Sequence, residues 1–230
     1  NFVSPLALAE KYSVDALRFF LFREISFKDD GDFSEKSLIL RHNELADAYG
    51  NFVYRTLSFI GSKYGGVVPE QGTVTAEDEE FKTRLESFAQ VVEEKLDNVS
   101  LKEALDEIMA FSNTCNRYFN NRAPWKLLTE KDASASTVLL QSAKAVYALT
   151  IALSPFVPET TRKALASLGI SLENAKWADY SPIKPGLKLN DLEILLEKFE
   201  DNPEAPENTK PKTHAGPKRP FSKKPSWKKN

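Results

Sequence analysis

Residues Phe111 to Trp125 read FSNTCNRYFNNRAPW, and they decide what kind of chain this is. At 100° per residue, Leu101, Leu105, Ile108, Ser112, Cys115 and Phe119 share one face of a helix, whose apolar members a core would take up. Asn113, Arg117 and Asn120 fall on the opposite, solvated face. Pro124 removes a backbone donor and keeps Ala123 out of the helical region, so the helix should end just before it. Trp125 follows directly, held beside a fixed φ. An Asn/Arg face that runs into a proline-held indole is what a stacking platform for an unpaired base requires. Taken alone, a single Trp more often fills a gap in the core.

The flanking segments read as helices too. Ser4-Pro5 opens a short helix to about Tyr12, and Ser13 caps a second whose stripe is Ala16, Leu17, Phe20 and Leu21. Asp32 and Glu35 read as a capping box for a helix to about Ser62, with Leu38, Leu45, Tyr49, Phe52, Thr56 and Ile60 on its core face. Asn51 and Arg55 project side by side from its other side, near Glu44, Ser58 and Ser62, where a solvated face is the plainer reading. Thr75 with Asp78 opens an amphipathic helix to about Leu96, and Ser100 with Glu103 opens the helix that ends at Pro124. Ser136 to Leu153 is a further helix, and Pro158 starts a last one to about Leu168. Asn190 caps a short helix over Asp191–Phe199. Residues 201–230 are rich in proline and lysine, lack an apolar period and read as disordered. The expected fold is therefore all-α: an antiparallel helix bundle with a disordered basic C-terminal tail.

Composition narrows the function. The chain has 230 residues with 41% apolar and 28% charged side chains, ordinary for a globular protein. One Cys (Cys115) and two His (His42, His214) supply neither a disulfide framework nor a metal-ligand set. A free helix-borne Cys fits a reducing, cytoplasmic setting. No run of 18 apolar residues and no signal peptide is apparent, so no membrane is expected. Residues 208–230 hold eight Lys/Arg and no acid, leaving 23 bases against 33 acids, or −10, in residues 1–207. An acidic body with a basic appendage favours contact with a polyanion through the tail. No P-loop, dinucleotide-binding glycine set, nucleophile elbow or paired-His motif occurs, which points to recognition. The only Met is Met109, so a chain starting at Asn1 reads as a fragment or a processed product.

Several of these residues resemble a known family. Asn1-Phe2-Val3, Pro5, Tyr12 and Asp15-Ala16-Leu17-Arg18-Phe19 are similar to the segment that follows the lysine-rich signature loop of class I aminoacyl-tRNA synthetases. Leu21-Phe22-Arg23-Glu24-Ile25, Asp30-Gly31-Asp32-Phe33-Ser34, Gly50-Asn51 with Arg55, Asn116-Arg117-Tyr118, Ala123-Pro124-Trp125 and Pro155-Phe156-Val157-Pro158 make the resemblance specific to methionyl-tRNA synthetases over about residues 1–170. It implies that residues 1–34 link to a catalytic domain, 35–170 form the helical anticodon-binding domain and 171–200 a C-terminal return segment, whereas the tail, 201–230, resembles nothing specific. It implies no catalytic residue and no metal in this chain. The partner implied is methionine tRNA with a CAU anticodon, contacted by Asn51 and Arg55 and stacked on Trp125, in support of ATP-dependent charging by the whole enzyme. Asn116, Arg117 and Pro124 are assigned support of Trp125 or RNA contact. Nonspecific RNA contact falls to Lys218, Arg219, Lys223, Lys224, Lys228 and Lys229, and the tail could also lead to a further tRNA-binding module or a protein partner. ATP, and any zinc, belong with a catalytic domain before Asn1, the chain's other implied partner. Ser4 stands where the family often has an acid, and Ser13 where it often has glycine. The alternatives are the equivalent domain of a synthetase for Cys, Leu, Ile or Val, and a non-catalytic helical RNA-binding or scaffold protein.

Overall fold

The computed structural model describes residues 4–24, 33–180 and 182–200. The Asn1–Val3 motif, the Asp30–Asp32 turn and the basic tail lie outside them. Among the described residues the elements are helices, with one isolated antiparallel bridge between Val67 and Lys188. They are α1 (Pro5–Tyr12), α2 (Val14–Glu24), α3 (Glu35–Leu45), α4 (Asn51–Lys63) and α5 (Ala76–Asp97), then α6 (Leu101–Arg122), α7 (Pro124–Thr129), α8 (Ser134–Leu153) and α9 (Pro158–Ser167).

α8 is the axis of the bundle. Its hydropathy and length match those of a membrane span, and 83% of its most apolar window is buried inside the protein. That surface is covered by α4, α5, α6, α7 and α9. The rod formed by α3 and α4 buries Leu38, Leu45, Tyr49, Phe52, Thr56 and Ile60 along one face, as the period predicts. It is not one regular helix, because Ala46–Gly50 forms a π-helical turn in its middle. The wider i→i+5 ring, in which the Asn51 N–H donates to the Ala46 carbonyl, re-aims the residues that follow it.

α1 and α2 dock on this frame through a second apolar cluster of Leu8, Tyr12, Ala16, Phe20, Leu38 and Ile39. Asp15, 5% exposed, accepts from both the backbone N–H and the hydroxyl of Thr160 at 2.7 Å, so it caps α9 from another helix. Arg18 donates to the carbonyls of Pro155 (2.6 Å) and Phe156 (3.1 Å).

Three local expectations are corrected. The N-cap of α3 is Ser34, whose hydroxyl accepts from the Ser37 N–H at 3.0 Å, and Glu35 turns away to accept from Lys11 and Tyr12, both at 2.7 Å. Those two donors hold the Glu35 carboxyl below the usual carboxylate range, the Lys11 bond contributing most. Thr75 and Asp78 do form a capping box, but Ser100 and Glu103 do not. Ser100 is already engaged as the last residue of a Schellman turn, its N–H donating to the Lys95 carbonyl and that of Val99 to Leu96. Finally, Asp191–Phe199 is extended rather than helical. Its backbone finds partners elsewhere in the fold: the Asn43 amide pairs with both the N–H (2.9 Å) and the carbonyl (3.0 Å) of Phe199, and His42 Nε2 bonds the Glu197 carbonyl at 2.8 Å. Ser13, at φ 115°, sits in the region that glycine fills at no steric cost.

Candidate nucleic-acid interface

The site grows from the contact between α4 and α6. Phe119 packs edge-on against Phe52 (6.4 Å) and Phe59 (6.3 Å), which fixes the distance between the two helices. Above that apolar floor an open groove of about 420 Å³ is lined by Asn51 and Arg55 from α4 and by Asn113, Asn116 and Asn120 from α6, with Glu44 and Asp47 at one end.

Electrostatics single out Arg55. Its guanidinium donates to Asn120 Oδ1 at 2.7 Å and lies 5.0 Å from the Phe119 ring and 6.0 Å from the Trp125 ring. Partial burial pulls its pKa down, and an arginine nevertheless stays charged. The two acids of the groove are already engaged. Glu44 accepts from Arg23 (2.7 Å) and Arg41 (3.0 Å), and Asp47 pairs with Lys198 at 2.6 Å. Among the described residues, Arg55 therefore presents an unopposed positive charge beside exposed Asn51.

Trp125 stands next to Arg55, its ring centre 6.0 Å from the guanidinium. α6 stops at Arg122 because Ala123 turns left-handed (φ 41°, ψ 62°) and Pro124 starts α7. The departure from the right-handed region is as Pro124 dictates, into a conformation that L-residues occupy at a cost of roughly 1–2 kcal/mol. That strained corner is held by a buried carboxylate. Asp78, 1% exposed, accepts from the Tyr118 hydroxyl (2.7 Å) and from Arg122 (3.0 and 3.2 Å), tying the end of α6 to the start of α5. Burial, and the Asp78 carboxylate beside it, push the Tyr118 phenol far up. Trp125 leaves this corner 40% exposed, with Phe119 at 6.1 Å on one side. An indole this open is not a core plug.

Asn116 and Arg117 are sequence neighbours with separate surroundings. Asn116 donates to the Ala48 carbonyl at 2.7 Å and to the Ser112 carbonyl at 3.1 Å, so it pins the π-helical turn just before Asn51. Arg117 lies on the other flank of α6, donating to the Thr114 hydroxyl at 3.2 Å, in a depression shared with Glu77, Glu80 and Arg84. Pro124 is buried. Periodicity puts Asn120 on the solvated face and misses its hold on Arg55; its i+4 spacing from Asn116 is the available signal. The tail residues Lys218, Arg219, Lys223, Lys224, Lys228 and Lys229 lie outside the described residues. Cys115 is fully buried, which pushes its thiol well up and leaves packing as its role. Among the described residues no three His, Cys, Asp or Glu are grouped to hold a metal ion.

Comparison with known proteins gives this geometry a family context. Residues 68–212 match the family model described as the anticodon binding domain of methionyl tRNA ligase, and residues 1–57 match that of class I tRNA synthetases (M). The chain is 34% identical to the methionine–tRNA ligase of Caldanaerobacter subterraneus subsp. tengcongensis over 205 residues, covering 87% of this chain and 32% of that protein. It is 35% identical to that of Mycobacterium leprae, covering 74% and 32%. The apo methionyl-tRNA synthetase of Mycobacterium tuberculosis superposes with a TM-score of 0.81 at 28% identity, over 86% of this chain and 41% of that one. The same enzyme bound to methionyl-adenylate gives 0.81 at 30%, over 86% and 40%. The chain thus spans about a third of the length of the curated relatives it matches (32% and 31% in two of them).

Proposed function

The chain belongs to the family of methionyl-tRNA ligase anticodon-binding domains, and from that premise we propose that its helical body reads the CAU anticodon of methionine tRNA. The observation that carries the reading is the unopposed Arg55 guanidinium, braced by Asn120 between exposed Asn51 and the open indole of Trp125. Trp125 takes the first anticodon base on its free surface, a stacking contribution of about 1–3 kcal/mol. Asn51 and Arg55 meet the base edges. A guanidinium carries donors only, so it favours the acceptors N3 and O2 of cytosine over the N3–H of uracil. A wrong base leaves a polar group unpaired, and that penalty supplies the discrimination. Asn116 supports the site from below through the π-helical turn, and Lys and Arg side chains of the tail add contact with the phosphates of any RNA.

In the whole enzyme this region supports ATP-dependent charging of the tRNA with methionine, in the cytoplasm. Its asparagines and single arginine form neither a phosphate cradle nor a metal-ligand set, so they do not fit ATP or zinc, which this reading leaves to the catalytic domain. Residues 1–34 lead to that domain, and the exposed Leu6, Val14 and Leu21 on α1 and α2 are the apolar surface it covers.

The test is a titration of the 230-residue chain with anticodon stem-loops bearing CAU or UAU at moderate salt. The CAU loop binds more tightly, and Arg55→Met removes most of the preference. Equal binding of the two loops by the unaltered chain overturns the reading.

A further inference from the structure

The π-helical turn Ala46–Gly50 is held from two opposite sides, and only one of the holds comes from the bundle. From within, Asn116 of α6 donates to the Ala48 carbonyl at 2.7 Å. From without, the extended segment 190–200 crosses the turn. Leu196 lies on Gly50, where a Cβ built on the glycine would meet Leu196 Cβ and Cδ1 at 3.5 Å. Lys198 pairs with Asp47 of the same turn at 2.6 Å. Three of the five residues of the turn are therefore clamped, two of them by this segment.

The segment is itself anchored on both sides of the contact. Upstream, the Asn190 N–H donates to the Ser167 carbonyl at 2.9 Å and its amide to the Ala166 carbonyl at 2.8 Å, while Leu195 is buried in the main core. Downstream, the Asn43 amide pairs with the backbone of Phe199, whose ring stacks on His42 at 3.9 Å. Leu196 is thus pressed on the turn by a strap fixed at two ends. A π-helical turn in a long rod is a local distortion that needs such over-determination to persist, and such turns gather at functional sites. The next residue after this one is Asn51.

We propose that the C-terminal strap is a positioning element for base readout, with Leu196 as its principal positioning residue. The strap holds the π-helical turn in the register that aims Asn51 and, four residues on, Arg55 into the groove. Without Leu196 the turn relaxes toward a regular α-helix, and the side chains after it rotate away from the base edges. This inference rests on the anticodon reading above and adds a specificity determinant that never touches the RNA.

The experiment compares the unaltered 230-residue chain with Leu196→Ala, Asn51→Ala, the double variant and Leu196→Met. Each is titrated with CAU and UAU stem-loops and melted without RNA. A displacement on the ångström scale costs up to about a hundredfold in site function, and for this partial loosening we expect the CAU/UAU affinity ratio to fall on the order of tenfold. Leu196→Met restores the ratio, and Leu196→Ala lowers it less once Asn51 is already alanine, because only the part carried by Arg55 remains to be lost. The Asn116 side-chain amide resonance, which reports the bond to Ala48, shifts in Leu196→Ala without RNA present. A merely structural role lowers the melting temperature and leaves the ratio unmoved. Should Leu196→Ala fail to fold, Leu196→Val carries the same comparison with a smaller change. An unchanged ratio, or independent effects of the Leu196 and Asn51 substitutions, overturns the proposal. If Trp125→Ala weakens CAU binding while Leu196→Ala leaves the ratio intact, only the strap inference fails. If the unaltered chain binds both loops alike, the anticodon reading falls and the inference with it.

Discussion

The two flanks of α6 both set an arginine beside an aromatic ring and end up with opposite characters. On the α5 flank Arg84 lies 5.7 Å from the Phe111 ring, but it is paired with Glu107, and Phe111 is fully buried. Glu77 and Glu80 line the same depression. On the α4 flank Arg55 has no carboxylate partner among the described residues, the neighbouring acids are paired with Arg23, Arg41 and Lys198, and the indole is open to solvent. Arginine next to an aromatic ring is thus not by itself a mark of a nucleic-acid site. The distinction lies in whether the charge and the ring surface have been used up inside the protein.

The largest effect expected from this contrast is on the buried flank. Phe111→Ala should cost about 3–5 kcal/mol of folding stability, as truncation of a core aromatic does, and show in denaturant unfolding. Trp125→Ala should leave the unfolding midpoint nearly unchanged and instead weaken CAU stem-loop binding by about 1–3 kcal/mol, one stacked base. A Trp125→Ala protein that unfolds early with unchanged binding would make the two flanks alike and break the comparison.

The arginines sharpen it. Arg55→Met should lose about 1.5–3 kcal/mol of stem-loop binding, the range for hydrogen bonds to a charged group, together with the preference for CAU. Arg117→Met, across the helix, should change binding by less than about 0.5 kcal/mol. Removal of residues 208–230 should weaken all RNAs alike and flatten the salt dependence by about 0.7 in slope for each phosphate that the tail no longer neutralises. A change in anticodon preference on removing the tail would contradict that division of labour. A further effect is on folding alone: Val99 is a β-branched residue at φ 56° in the turn after α5, so Val99→Gly should stabilise the protein by about 1 kcal/mol, read as a higher melting temperature.

Acid should lower the stability of the fold around His42. Burial lowers the His42 pKa below its ordinary value near 6.5, so the folded protein prefers the neutral ring and the unfolded chain takes up the proton first. The stability His42 contributes is complete above pH 6.5 and is lost as the pH falls through the lower folded value. His42→Gln should reduce that part of the pH dependence in a series of thermal melts.

Much of this architecture was legible in the sequence because burial follows period. Leu38, Tyr49, Phe52 and Ile60 on one rod, and Leu105, Ile108, Cys115 and Phe119 on another, are spaced for one helical face, and the core took them. Pro124 marked the end of α6, and Thr75 with Asp78 marked the start of α5. What stayed hidden depends on contacts far apart in the chain. Leu192, Leu195 and Phe199 keep helical spacing, yet the segment is extended because Asn43 and His42, more than 150 residues away, satisfy its backbone. The π-helical turn inserts one extra residue without interrupting the apolar face, so periodicity cannot report it. Asn51, Arg55 and Trp125 could be named as candidates, whereas the bracing of Arg55 by Asn120 needed the two helices side by side.

The most direct measurement is intrinsic Trp fluorescence during a titration with the CAU stem-loop, set against a UAU loop. Trp177 and Trp227 contribute background, so Trp125→Phe is run in parallel. Quenching should saturate with binding, be stronger for CAU and disappear in Trp125→Phe. Quenching that persists in Trp125→Phe, or CAU binding with no quenching in the unaltered chain, would contradict base stacking on Trp125.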